Sequence, residues 1–475
     1  MSYHICPDRR QSYDAVQQGF LQADGLPFSE ALTADEIQRV FDEEGVAFGD
    51  QPDDVYTPAL TLWAFLSQAI HSGVQRSCNA AVERVRTLCL ALGLRAPSPD
   101  SGAYYRARAK LPESALRRLT YKVADALEEA APEAWLRWGR HVKMVDGSTL
   151  TMPDTEQNQA EWPQLASQQL GLGFPILRFV LLSSLATGAV CGFAEAPYEG
   201  KETGEPALLR ALLDRLNPSD ILLGDSCYCS YFMIALLQER GVDVIFPQHQ
   251  RRKTDYAKGK RLGEQDHVVT WEKPVRPDWM DQETYERMPD KLTVRELTVT
   301  ITTPNSRASE LILVTTLASP KKYPKSEVGD LYGERWNVEV DIRSNKVTMN
   351  LEDLRGQFPD MVRKELWVHC LAYNLIRRTM AAAAVVHEQT PRTVSFAGAL
   401  QSVSGMMTYA SILAPSALTA FATQKLASIA SHRVGNRPYR VEPRAVKRRP
   451  KIQQLLTRPR EEARAMLRDD PAATL

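Results

Sequence analysis

The sequence predicts an α/β fold: a mixed five-stranded sheet with a β-rich insertion, preceded by an α-helical N-terminal domain and followed by a helical C-terminal region. Three observations carry this expectation. Apolar residues recur at helical spacing through the N-terminal 1–135, the period shortens to that of strands from His141, and helical spacing returns beyond Lys346. A chain of 475 residues with 44% hydrophobic content is long enough to bury a sizeable core and to divide into domains.

In the N-terminal domain, Ala59–Ala69 reads as an apolar helix and Asn79–Leu92 as a second, closed by Gly93 at its C-cap. Pro97-Ser98-Pro99-Asp100 is a turn, after which Asp100 or Ser101 can cap a third helix bearing Tyr104, Tyr105, Arg106, Arg108 and Lys110. Helix, turn and basic aromatic helix form a loose helix-turn-helix pattern, so Arg106, Arg108 and Lys110 are candidate DNA contacts. An all-α domain that never touches DNA fits the same pattern.

His141–Asp146 is a strand, and Ile176–Leu185 with Ala189–Ala194 forms a hairpin about Ala186-Thr187-Gly188. A helix at Pro206–Leu216, a buried strand at Ile221–Gly224, a helix at Ser230–Arg240 and a strand at Val242–Phe246 follow. Three antiparallel strands and then β-α-β is the element order of a ribonuclease-H-like domain, whose first part we assign to 136–250. The insertion, 251–322, holds strands at His267–Trp271, Leu292–Ile301 and Glu310–Leu317. The core resumes at 323–385, with a helix at Val362–Ala383, and Ser416–Ala430 is a helix of the C-terminal region, 386–475.

Two aspartates end apolar strands: Asp146 after Val142-Lys143-Met144-Val145, and Asp225 after Ile221-Leu222-Leu223-Gly224. Each alone fits a strand-end cap. In this element order, however, the first and fourth strands are neighbours, so the two carboxylates come together. Tyr332, Arg335, Glu339 and Lys346 are spaced so that, at about 100° per residue, one helix carries all four on a narrow stripe. Leu331, Val338 and Ile342 flank that stripe on one edge, and Trp336 and Val340 on the other. Asp330, Glu334, Asn337, Asp341, Ser344 and Asn345 are expected on the opposite, wet face. The bland alternative is a helix with a simple Arg335–Glu339 ion pair. Three converging carboxylates without histidine or thiolate favour Mg²⁺, with Mn²⁺ a substitute, over zinc; two such ions can serve phosphodiester cleavage.

Asp146-Gly-Ser, Asp225 in Leu-Leu-Gly-Asp-Ser-Cys-Tyr, and Tyr332-x2-Arg335-x3-Glu339-x6-Lys346 resemble the DDE motif and YREK signature of bacterial insertion-sequence transposases of the IS-four family. The resemblance implies that Asp146, Asp225 and Glu339 hold two metal ions, with Tyr332, Arg335 and Lys346 on phosphates near the cleaved end. It implies nicking, hairpin formation, hairpin opening and strand transfer, carried out on double-stranded DNA by a synaptic homodimer with one terminal inverted repeat per protomer. Members often place a tryptophan in the β-insertion to stack on a flipped base. The nearest equivalent here is Leu311, with Trp271, Trp279 or Trp336 as substitutes.

Lysine plus arginine and aspartate plus glutamate are equal at 58 each, which excludes a histone-like polycation. Basic charge is nonetheless local: Arg251, Arg252 and Lys253 open a basic stretch in the insertion, and Lys447, Arg448 and Arg449 centre a basic tail facing only Glu442. Both read as DNA backbone contacts or as solvated chain. Seven scattered cysteines without paired spacing, and no apolar leader or span, fit a reduced, cytoplasmic protein. The competing functions are a DNA-binding regulator that has lost catalysis and a metal-dependent nuclease without strand transfer.

Overall fold

Local sequence sets the helix ends. The computed structural model describes residues 32–49, 54–301, 309–410, 415–435 and 456–469. Thr33 and Glu36 close a capping box on α1 (Ala34–Glu43), and Thr57 caps α2 (Pro58–Ile70), which has proline at its first position. Every residue of α2 is buried, so it runs through the core of the helical region. Ser77 caps α3 (Cys78–Ala91), which stops as expected where Gly93 takes φ +69° and the Leu94 amide donates to the Cys89 carbonyl at 2.8 Å. α4 (Gly102–Lys110) begins with Asp100 accepting from the Gly102 amide at 2.8 Å, and the amphipathic α5 (Glu113–Glu129) follows.

The sheet begins with β1 (Val142–Thr151); after the short α6 (Glu156–Glu161) come β2 (Ile176–Ser184) and β3 (Val190–Pro197). Then follow α7 (Glu205–Arg210), β4 (Ile221–Leu223), α8 (Tyr231–Glu239) and β5 (Asp243–Pro247). β1, β2 and β3 pair antiparallel, whereas β4 pairs parallel with β1 and with β5, giving the ribonuclease-H-like order β3-β2-β1-β4-β5. β1 does not stop at Asp146 as the apolar run suggests; it continues to Thr151 because its second half still pairs with β2. The expected Pro206–Leu216 helix is also shorter: α7 ends at Arg210 and a single turn, Leu213–Arg215, follows.

The insertion supplies β6 (Lys260–Gly263), β7 (Asp266–Glu272), α9 (Gln282–Arg287), β8 (Lys291–Ile301) and β9 (Ser309–Thr315). β9 pairs antiparallel with β5, so the insertion continues the same sheet to nine strands, ending β5-β9-β8-β7-β6. Alternation along the central strands feeds two cores. Ile221, Leu223 and Ile245 join one with the helical regions, while Leu222, Val244 and Phe246 join the other with α7 and α8.

After the sheet come α10 (Lys325–Gly333), α11 (Trp336–Arg343), the long α12 (Pro359–Val386), α13 (Phe396–Ala410), α14 (Pro415–Ser431) and α15 (Arg460–Asp469). No helix among the described residues is long and apolar enough to cross a membrane, and the six described cysteines are free thiols. The face of α11 expected to be wet is in fact buried at Asp341, Ser344 and Asn345. Asp341, fully buried, accepts from Arg377 at 2.6 Å, Arg392 at 2.7 and 3.0 Å and the Tyr373 hydroxyl at 3.1 Å. Two guanidiniums compensate the desolvation of one carboxylate, and the back of α11 is thereby fastened to α12 and the chain beyond it.

Asp341→Ala leaves Arg377 buried without its carboxylate and removes the counter-charge of the half-buried Arg392. It should lower the unfolding free energy by about 3–5 kcal/mol, read from urea denaturation; a loss near that of an exposed pair would make the cluster incidental.

Candidate active site

Parallel pairing decides which side chains meet. Met144 of β1 lies opposite Leu223 of β4, and each aspartate follows two residues later, so Asp146 and Asp225 emerge at one level of adjacent strands. β4 has ended there while β1 continues, which opens a notch at the C-terminal end of β4, between β1 and β5. Asp225 caps its own turn: Oδ1 accepts from the Ser226 hydroxyl at 2.8 Å and the Cys227 amide at 3.3 Å. Asp146 accepts from the Gly147 amide at 2.9 Å.

The segment carrying the other candidates is not one regular helix. Between α10 and α11 the backbone tightens to three-residue hydrogen bonds, Arg335 to Tyr332 (3.0 Å) and Val338 to Arg335 (3.0 Å). Beyond α11 it widens to a π-helical turn, Ser344–Thr348, with the Met349 amide donating to the Ser344 carbonyl at 3.0 Å. The stripe still reaches one place. Arg335 Nη2 donates to Glu339 Oε1 at 2.9 Å and Nη1 to Asp146 Oδ2 at 3.4 Å. Lys346 Nζ donates to the Thr149 carbonyl at 2.8 Å and the Ser148 hydroxyl at 3.4 Å, farther along β1. Tyr332 is buried beside Arg335.

Burial raises the Asp146 carboxyl above its ordinary range, Arg335 and the Gly147 amide oppose that, and Asp225 adds to it. Burial likewise pushes the Tyr332 hydroxyl up, against the pull of Arg335. A further acid, not singled out from the sequence, faces the same notch. Glu205, the first residue of α7, is raised by burial and then by Asp146, with Asp225 a smaller contributor. β3 runs in the same direction as β1, so the helix that follows it starts at the edge where the aspartates emerge; that topology was the available signal.

Among the described residues no three His, Cys, Asp or Glu side chains form a closed set of metal ligands. The reason is visible: Asp225 turns onto its own backbone, and Arg335 bridges Asp146 and Glu339. The donor set nevertheless fits a hard divalent cation. It offers carboxylate oxygen alone, and a guanidinium already stands as a positive charge between two of its members.

The remaining candidates lie elsewhere. Arg106 and Lys110 are exposed on α4, whereas Arg108 turns inward, its guanidinium 4.7 Å from the Phe65 ring centre and 3.2 Å from Gln68. That packing weakens the case for Arg108 as a DNA contact. Arg251, Arg252 and Lys253 are exposed after β5, with Arg252 stacked 3.5 Å over Trp271. Of the proposed base-stacking residues, Leu311 packs against the core, Trp271 is buried and donates to Glu296 at 3.0 Å, and Trp279 lies under Arg210 at 3.9 Å. Trp336, the residue after Arg335 and the first of α11, is 55% exposed. Lys447, Arg448 and Arg449 lie outside the described residues.

The family model described as "Transposase DDE domain" matches residues 137–375, just over half of the chain, and that stretch contains every residue of the notch. The transposase InsG for insertion sequence element IS4 of Escherichia coli (strain K12) is 27% identical over 363 residues, covering 74% of this chain and 78% of that protein. A cryo-EM structure of a piggyBac transposase synaptic complex with hairpin DNA matches with a TM-score of 0.41 and 10% identity, over 89% of this chain and 85% of that one.

Arg335→Ala removes the charge between Asp146 and Glu339. In EDTA it should cost roughly 1–3 kcal/mol of stability, and Mg²⁺ should then raise the melting temperature more than in the wild type; an equal Mg²⁺ response would show that the arginine does not stand in for a cation.

Proposed function

The chain belongs to the transposase DDE domain family, and from that premise we propose that it is the transposase of an insertion sequence related to IS4, cutting DNA at terminal inverted repeats and joining the freed 3′ ends to target DNA. One observation carries the reading: Asp146 and Asp225 emerge together from paired parallel strands, and α11 sets Glu339 beside them. Catalysis in this family uses divalent metal. Here Asp146, Asp225 and Glu339 would hold it, as two Mg²⁺ ions or Mn²⁺ in their place. When bound, the ions supply Lewis acidity for the attacking oxygen and for the oxygen that leaves phosphorus.

The chain's own groups position DNA. Arg335 presents a planar fork suited to bidentate contact with a phosphate, and Lys346, without a carboxylate partner among the described residues, presents a point charge farther along β1. Tyr332 steadies Arg335 from its buried side. In the first step water attacks phosphorus and the 3′ oxygen leaves. In the second the freed 3′-hydroxyl attacks the opposite strand, closing a hairpin that is later opened before strand transfer. Trp336, exposed next to Arg335, is the aromatic surface placed to stack on a base flipped out at the hairpin. Arg106, Lys110, Arg251, Arg252, Lys253 and the Lys447-Arg448-Arg449 run would follow the DNA backbone, and two protomers would pair two ends.

A denaturing gel of labelled end DNA with its flank, in Mg²⁺, tests this reading. The wild type should give a nick and then a slowly migrating hairpin; Asp225→Ala and Glu339→Gln should bind the end and yield neither product, and EDTA should reproduce that result. Cleavage by Asp225→Ala would remove the assigned centre. Cleavage that never joins a 3′ end to a second duplex would make the protein a nuclease.

Trp336→Ala should lower hairpin yield about ten- to hundredfold, as loss of one base–aromatic stack predicts, while the first nick proceeds. Equal slowing of both steps would place Trp336 outside base stacking.

A further inference from the structure

Glu205 reaches the notch from the opposite side to α11. Its side chain lies flat on the main chain of β1: a Cβ at Gly147 would meet the Glu205 carboxyl carbon at 2.4 Å, Oε1 at 2.5 Å and Cγ at 2.8 Å. No residue with a side chain fits beside Asp146 while Glu205 holds this position. Its other oxygen, Oε2, accepts from the Tyr228 hydroxyl at 3.3 Å and from the Cys227 thiol at 3.8 Å, both in the turn that Asp225 caps, where Tyr228 is fully buried. The carboxylate is thus fixed by the residue after Asp146 and by the turn after Asp225.

This placement is electrostatically unfavourable in isolation. Glu205 is half-buried and faces two other acids; Arg178 opposes them from a distance, but Glu205 has no ion pair among the described residues, and Arg335 is committed to Asp146 and Glu339 on the far side. A partly buried carboxylate held against like charges persists when a cation compensates all of them.

We propose that Glu205 is a fourth carboxylate of the catalytic centre, holding the divalent cation together with Asp146 and Asp225 while Glu339 serves from the other side. This rests on the reading of the notch as a metal-dependent DNA-cleaving site. Tyr228 is then a positioning residue, its hydroxyl orienting Glu205, and the missing side chain at Gly147 is what admits the fourth acid.

The test uses the full chain and Mn²⁺ itself. Free Mn²⁺ is followed by its electron paramagnetic resonance signal during titration of the wild type, Glu205→Gln and Asp225→Ala. The Mg²⁺ concentration giving half-maximal end cleavage is measured alongside for the wild type and Glu205→Gln. Glutamine keeps the shape and can still accept from Tyr228, so circular dichroism and end-DNA binding should match the wild type. Glu205→Gln should weaken Mn²⁺ binding about tenfold or more and raise the half-maximal Mg²⁺ concentration by a similar factor. Unchanged Mn²⁺ affinity and Mg²⁺ dependence in Glu205→Gln, with both Mn²⁺ binding and cleavage lost in Asp225→Ala, overturns the role of Glu205 and leaves the site standing. If Asp225→Ala also keeps both, the reading of the notch falls and this proposal with it. Should Glu205→Gln misfold, Tyr228→Phe, which removes only the orienting hydroxyl, should show the same direction of change in Mn²⁺ affinity; no change in a folded Tyr228→Phe variant then overturns the proposal.

Discussion

Parallel pairing between β1 and β4 is the constraint from which the rest of the molecule follows. Only three residue pairs make it, Val142 with Ile221, Lys143 with Leu222 and Met144 with Leu223, and all six side chains are buried. Sliding one strand by a residue would exchange which core each side chain enters, so the two cores together fix the register. Two residues later the chain can no longer bury what it carries, and the aspartates leave the sheet at the same level. The apolar alternation that folds the protein therefore also sets the separation of its acids.

Around that notch, charge is arranged in two tiers. At the front, Arg335 bridges Asp146 and Glu339 while remaining partly open to solvent. Behind it, Asp341 is sealed from water between Arg377 and Arg392. The two acids are two residues apart on α11 and point opposite ways, so the rear pair acts as a fixed mount for the front one. The division is energetically sensible: the pair that the proposed chemistry would ask to exchange partners is partly open to solvent, and the pair that holds α11 in place is buried.

Much of this was legible in the sequence. The alternation in β1 to β5, the helix caps and the meeting of Asp146 with Asp225 all depend on residues within a few positions of each other or on strand order. What escaped has distant causes. Asp341 looked like a wet-face residue because its partners, Arg377 and Arg392, stand far along the chain. The inward packing of Arg108 depends on Phe65 and Gln68, which belong to another helix. Glu205 is an ordinary acid at a helix start until β3 is known to run beside β1's direction. The insertion's strands were recognised, but their joining to β5 was not, since an edge accepts any partner strand that offers main-chain hydrogen bonds.

The four residues of the Tyr332–Lys346 stripe converge although the backbone beneath them is first overwound and then underwound. The tight turn before α11 and the π-helical turn after it depart from ideal geometry in opposite senses. In the wide turn one extra residue is accommodated without breaking the helix, and it is there that Lys346 is turned onto β1. Removing one residue ahead of Lys346 in this turn would close it toward regular spacing and change where the lysine is presented relative to β1. At this point the aim of the lysine depends on the number of residues in the turn as well as on their side chains.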